Sequence, residues 1–316
     1  RLRMDKVVLL TGATGFIGRH AIAPLLARGY QVHALTSRPV MGQPALPGVT
    51  WHHADLLVPG QVEPLLAALA PTHLLHFAWY VETGKFWSAP ANLEWVEASL
   101  RLVRAFAACG GQRLVMAGTC AEYDWSGPVC CSPETPLRPA TLYGAAKLAL
   151  WLSVERFAAS RSLSAAWGRI FSPFGPDEHP NRLVAATIRS LLRGEEARCS
   201  HGGQVRDFLY TPDLADAFVA LLDSPVMGAL DVAAGHGTTI AELVMEIAHE
   251  IGRPDLVRLG ALAAPANDPP QLVGDVRRLA ENVVWHPRYT LREGLVMTAI
   301  WWATHTKTRH QQSVLE

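Results

Sequence analysis

The chain has 316 residues, 49% hydrophobic and 18% charged, with 28 basic side chains against 28 acidic ones. That length can bury a substantial core in one large domain or two modest ones. The balanced charge supplies no net field to steer nucleic acid or an anionic membrane, so neither is expected as a partner.

The opening "RLRMDKVVLLTGATGFIG" superficially resembles a signal peptide, with basic residues before an apolar run. The run is very short, however, and ends in three glycines rather than at a small-residue cleavage site. Arg1–Arg3 before Met4 and the final Leu315 and Glu316 read as cloning remnants. Elsewhere no stretch of about 18 uninterrupted apolar residues appears, and no membrane-spanning helix is expected.

"KVVLLTG" is an apolar run without alternation, which predicts a strand buried on both faces. Gly12, Gly15 and Gly18 follow at G-x-x-G-x-x-G spacing, and then a helical pattern (Ile17, Ala21, Ile22, Leu25, Leu26) closed by Gly29. Strand, tight turn and helix in this order suit a pyrophosphate: glycine lets the backbone approach, and the helix start offers free N–H groups. A purely structural glycine turn is the alternative. Pro24 should kink or strain this helix. "YQVHALTS", "HLLHFAW" and "QRLVMAGT" predict further buried strands, the last two separated by the helical "WVEASLRLVRAFAACG". This alternation predicts a doubly wound parallel α/β sheet.

The five cysteines (Cys109, Cys120, Cys130, Cys131, Cys199) are odd in number and lack zinc-site spacing, which fits a reducing cytosol and a cytoplasmic protein. His52, His53 and Asp55 do not make a convincing metal site, and none is expected. "TLYGAAK" places Tyr143 and Lys147 one helical turn apart on a shared face, a spacing that surface helices carry routinely and that means little alone.

Taken together, these motifs resemble the extended short-chain dehydrogenase/reductases, and more narrowly the NAD(P)-dependent epimerase/dehydratase family acting on nucleotide sugars. The likeness covers nearly the whole chain. "TGATGFIG" is similar to the family's T-G-x-x-G-x-x-G loop, "ADL" to its adenine-side aspartate (here Asp55, followed by Leu56), and "HFAW" to a His-Leu-Ala-Ala strand end. "LYGAAK" matches Y-x-x-x-K. "GRIFSPFGP" resembles R-x-x-N-x-Y-G-P with Ser172 in place of asparagine, "QVRDFLYTPDLADA" resembles R-D-F-x-Y-V-x-D, and "NVVWHPRYTLREGL" resembles a Gly-Trp-x-Pro ending.

The resemblance implies a Rossmann-type NAD(P)-binding domain over residues 4–172 and a smaller substrate-binding domain over 173–316, with segments around 204–232 returning to the first. It implies that Thr119, Tyr143 and Lys147 are catalytic, with Tyr143 as general acid/base at a pKa lowered by the neighbouring ammonium. A threonine that merely ends a strand is the plain reading of Thr119. The implied cofactor contacts are Gly12, Thr14, Gly15, Phe16, Ile17, Gly18, Ser37, Arg38, Asp55, Leu56, Phe77, Ala78, Trp79, Tyr143, Lys147, Phe171 and Ser172. The implied substrate contacts are Trp79, Thr119, Cys120, Ala121 and Arg206, the last on a diphosphate, with a salt bridge to Asp207 as its plain alternative. Members usually dimerise through the helix after the fourth strand and the Tyr-Lys helix, so a homodimer is expected, with Leu148, Leu150, Trp151 and Leu152 as apolar outer positions.

Departures from the pattern narrow the reaction. The 4,6-dehydratases carry Asp-Glu directly after the threonine, where this chain has Cys120 and Ala121; Glu122 is displaced by one and should point elsewhere. The end of the second strand, "LTSRP", has no carboxylate for an adenosine ribose, but it has Ser37 and Arg38, which suit the extra phosphate of NADP(H); a solvated Arg38 is the alternative. Trp95 falls where the family has an asparagine, and with Trp79, Trp87 and Trp125 it predicts either an aromatic-rich cleft or ordinary core packing. These features favour NADPH-dependent reduction of a nucleoside-diphosphate 4-keto-6-deoxy sugar over 4-epimerisation, a non-catalytic cofactor-binding scaffold, or reduction of a non-nucleotide carbonyl.

Overall fold

A computed structural model describes residues 6–127, 134–264 and 268–312, with the side chains of 306–312 excepted. Residues 1–3, Cys130, Cys131, Leu315 and Glu316, read above, lie outside the described residues.

In chain order the first half runs β1 (Val7–Thr11), α1 (Gly18–Ala27), β2 (Gln31–Thr36), β3 (Val49–His53), α2 (Glu63–Leu69), β4 (His73–His76), α3 (Ala91–Ala108), β5 (Arg113–Thr119), α4 (Leu142–Ser160) and β6 (Ser164–Ile170). The second half runs β7 (Ser172–Phe174), α5 (Leu183–Leu192), β8 (Ala197–Arg198), β9 (Val205–Tyr210), α6 (Thr211–Asp223), β10 (Gly228–Val232), β11 (Gly237–Thr239), α7 (Ile240–Ile251), β12 (Val257–Arg258), β13 (Gln271–Leu272), α8 (Arg277–Glu281) and α9 (Leu291–Gln312).

Seven strands form one parallel sheet in the order β10-β6-β5-β4-β1-β2-β3. From β1 the chain winds outward through β2 and β3, then returns to β4 and winds the other way. The crevice beyond the carboxyl ends of β1 and β4 is therefore the switch point where such sheets take ligands. One face of the sheet is closed by α1 and α6, through Ala21, Leu25, Leu214 and Phe218. The other is closed by α2, α3 and α4, through Leu66, Leu102, Phe106, Leu150 and Trp151. The expected doubly wound parallel architecture is the one observed. β3 was not foreseen: it is an edge strand whose residues are all at least partly exposed, so it lacks the apolar run that marks its neighbours. β10 joins the far edge from late in the chain, beside β6.

The second half otherwise builds a small sheet around β9, flanked by β7, β11 and β13. Its own core packs α5, α7 and α9 through Ile188, Leu243 and Leu295. α1 continues unbroken through Pro24; one lost N–H bond is outweighed by Ala21, Ile22 and Leu25, all buried against the sheet. One expectation fails at α4. Leu150 and Trp151 are not outer positions: they are 0% and 3% exposed in the sheet-facing core, and Leu152 is the side chain left half in solvent. Positions 148, 150, 151 and 152 together span more than a full turn of helix, so they cannot all face outward. No helix among the described residues is long and apolar enough to cross a membrane.

Candidate active site

The glycine loop joins β1 to α1 at the switch point. Gly12 has φ +68°, and a Cβ there would stand 2.9 Å from the backbone nitrogen of Ala78; one on Gly18 would stand 2.2 Å from the carbonyl oxygen of Gly12. Side chains at these two positions would push the loop off the strand ends and fill the concavity below the start of α1. Arg19 ties the loop down, donating to the carbonyl of Thr14 at 2.7 Å and pairing with Asp177 at 2.6 Å. Thr14, Phe16 and Ile17 keep partial exposure along this turn. Beside it, Phe77 and Ala78 follow β4, their N–H groups donating to the carbonyl and the hydroxyl of Thr11. Such a cradle fits a dinucleotide pyrophosphate.

At the end of β2, Ser37 and Arg38 are exposed, and the Arg38 N–H donates to the Thr36 hydroxyl at 3.0 Å. Past the end of the neighbouring β3, Asp55 caps its own turn by accepting from the Leu57 N–H at 2.9 Å, while Leu56 is buried. His52, three residues before Asp55, stacks on His33 with a nitrogen–nitrogen distance of 2.8 Å.

The other arm of the site begins where β5 ends. Thr119 caps a short 3-10 turn, Cys120–Glu122: its hydroxyl accepts from the Ala121 N–H, and its own N–H donates to Glu122. Glu122 is fully buried and points away from the crevice, as its displacement in sequence implied. It accepts from the Trp167 indole at 2.8 Å and from the Arg169 guanidinium at 2.7 Å. α4 is pinned against this turn, because a Cβ on Gly144 would lie 2.2 Å from the Ala121 carbonyl oxygen. Thr141 caps α4 by accepting from the Gly144 N–H. The result brings the Tyr143 phenol close enough to Thr119 for the threonine side chain to favour the phenolate.

Electrostatics at Tyr143 reverse one expectation. Its pKa is raised, not lowered, because its hydroxyl end is deeply buried and the uncharged phenol is the form that burial favours; the Thr119 side chain opposes this only in part. The lysine does not act as foreseen in this state. Lys147 Nζ donates to the Ala117 carbonyl at 2.8 Å and lies 3.8 Å from the ring centre of Trp79. Burial pushes the Lys147 ammonium down to about 7, with Glu122 acting against that shift. Cys120 is buried next to Thr119, and its thiol is pushed up to about 12, so it is a neutral apolar neighbour. Phe171 packs with Cys120 in a small cluster, and Ser172 opens β7 two residues after Ile170, which pairs with Thr119.

Arg206 projects from β9 near enough for its charge to act on Cys120. It does not pair with Asp207: its partner is Asp268, at 2.6 Å. Asp207 instead accepts three backbone N–H groups, from Ala234, Gly235 and Gly274. The aromatic side chains divide. Trp87, Trp125 and Phe86 cluster around Tyr143, Trp87 at 5.8 Å between ring centres, whereas Trp95 packs on the buried Trp79 at 6.1 Å. Two residues escaped sequence reading. Asn92, in the first turn of α3, is fully buried and accepts from the Trp79 indole. Arg182 lies over the Phe16 ring and pairs with Glu178. A buried asparagine three residues before Trp95 was the available signal for the first; a lone loop arginine gives none for the second.

Residues 8–233 match the NAD dependent epimerase/dehydratase family. The chain belongs to that family. The glycine loop, Thr119, Tyr143 and Lys147 all fall inside the matched span. Among known proteins, the family member is 28% identical over 333 residues to a dTDP-4-dehydro-6-deoxy-D-allose reductase of Streptomyces bikiniensis, covering 96% of this chain and 98% of that one. It is 28% identical over 311 residues to a UDP-glucose 4-epimerase of Corynebacterium glutamicum, covering 90% and 91%. Its fold superposes on a Thermus thermophilus UDP-glucose 4-epimerase in complex with NAD with a TM-score of 0.82, at 26% identity and over 94% of this chain and 98% of that one. Membership makes this an NAD(P)-dependent enzyme.

Proposed function

We propose that this family member reduces a nucleoside-diphosphate 4-keto-6-deoxy sugar at carbon 4 with NADPH. The observation that carries the reading is the turn after β5: Cys120 and Ala121 follow Thr119 without a carboxylate, and the one carboxylate of the turn, Glu122, is consumed by Arg169 and Trp167. A dehydration needs a free carboxyl beside Thr119, and reduction of a ketone does not. The exposed Ser37 and Arg38, with no acidic residue at the end of β2, support the phosphorylated cofactor.

When bound in the glycine cradle, the cofactor supplies hydride to the carbonyl carbon. Tyr143, kept protonated by burial, supplies the proton to the oxygen. Thr119 hydrogen-bonds the same oxygen and the resulting phenolate. The Lys147 ammonium, with one N–H engaged by Ala117, has others free for the cofactor ribose. Arg206 would exchange Asp268 for the substrate diphosphate, and the residues from 173 onward would hold the nucleotide. A homodimer through α3 and α4 accompanies this reading, supported by Leu93 and Leu152, both more than half exposed on those helices.

The 4-epimerase reading is favoured by the Corynebacterium and Thermus relatives. Stoichiometry separates the two. With a panel of nucleotide 4-keto sugars, a reductase oxidises one NADPH per sugar converted. Inversion of a nucleotide hexose at carbon 4 without change in nicotinamide absorbance would replace reduction by epimerisation.

A further inference from the structure

We propose that Trp79, held in place by Asn92, is a positioning residue that fixes the Lys147 ammonium at the cofactor end of the site. Lys147 is 4% exposed, so nearly all its water is gone. In exchange it has one hydrogen bond, to Ala117, and the face of Trp79 at 3.8 Å, with Trp167 more distant at 5.8 Å. A ring face within about 6 Å attracts a cation, and the attraction grows as water is excluded. Among the described residues no carboxylate makes a direct ion pair with this lysine: Glu122 acts on it only through space, its oxygens being spent on Thr119, Trp167 and Arg169. The remaining charged or titratable groups around it are His76 on β4, locked neutral between Thr11 and Ser99, Tyr143 on its own helix, and Arg169 behind Glu122. The indole is thus the main partner of the charged form besides one carbonyl.

The indole is itself locked. Its N–H donates to Asn92 Oδ1 at 2.9 Å, and the Asn92 amide donates to the carbonyls of Phe86 and Ala89 at 2.7 and 2.9 Å. With Trp95 packed on the ring as well, Trp79 has little freedom to turn. A chain of contacts therefore runs from the loop before α3 through Asn92 and Trp79 to the lysine.

The inference rests on Lys147 being a working group, as in the proposed function, but its test needs no sugar, so it stands or falls apart from the choice between reduction and epimerisation. NADP+ and NAD+ are titrated calorimetrically from about pH 5.5 to 9, spanning the lysine's lowered range, into wild type, Trp79→Phe, Trp79→Leu, Asn92→Ala and Lys147→Met. Wild-type affinity should fall as pH rises and Lys147 loses its proton, and Lys147→Met should lose that dependence. Removing the ring face disfavours the ammonium, so Trp79→Leu should move the midpoint downward by about 0.5–1 pH unit. Trp79→Phe should restore most of the shift, and Asn92→Ala should show a smaller one in the same direction. If Trp79→Leu does not melt cooperatively, the Phe and Asn92 variants decide. An unmoved midpoint with uniformly weaker binding assigns Trp79 to packing alone and overturns the proposal, as does pH dependence that survives in Lys147→Met.

Discussion

The two ends of the crevice are built on opposite principles. At the nicotinamide end Thr119 and Lys147 are buried, and each is held by defined partners: the turn at Cys120–Glu122, the Ala117 carbonyl and the Trp79 ring. At the adenine end Ser37 and Arg38 stand in solvent, with the Arg38 N–H donating to the Thr36 hydroxyl. A group shut away from water must have its polar atoms met by protein, so its position is over-determined and expensive to alter. An exposed arginine is free to change with little effect on folding, and so can set cofactor preference independently of the chemistry.

The contrast can be broken hardest at Glu122. Glu122→Leu leaves Arg169 buried without its carboxylate, a loss of roughly 3–5 kcal/mol for a broken buried pair. Urea unfolding should show the midpoint falling accordingly, whereas a change below about 1 kcal/mol would show the pair to be dispensable. Tyr143→Phe removes only the transferable proton, and turnover should drop on the order of 100-fold or more. Its cofactor affinity, read by calorimetry, should stay close to wild type; wild-type turnover in this variant would end the assignment of Tyr143. Arg38→Ala tests the exposed end. It should weaken NADP+ by roughly tenfold, the worth of one charge-assisted hydrogen bond, and leave NAD+ affinity and the melting temperature unchanged. Tighter binding of NAD+ than NADP+ by the wild type would count against the NADP reading.

Legibility in the sequence follows the same division. The buried strands β1, β2, β4 and β5 announce themselves as apolar runs, and the glycine spacing with Tyr143 and Lys147 marks the crevice, because these features are local and periodic. β3 was missed because an edge strand open to solvent needs no such run. Leu150 and Trp151 were placed on the wrong side of α4: the helix is apolar around most of its circumference, so its pattern does not say which face meets the sheet. For Arg206 the plain alternative to a diphosphate contact was a salt bridge to Asp207; that alternative fails because successive strand residues point to opposite faces, and its partner Asp268 arrives from a distant loop.

The sequence by itself determined the family, the parallel doubly wound sheet, and the residues gathered at its switch point, since each is written in short-range spacing and composition. Only the tertiary structure decided the state of those residues. Burial raised the Tyr143 pKa and lowered that of Lys147, and the fold put an indole under the lysine, turned Glu122 into the core and gave Arg206 its partner. Desolvation and ion pairing depend on what surrounds a group in space, and those surroundings come from segments far apart along the chain.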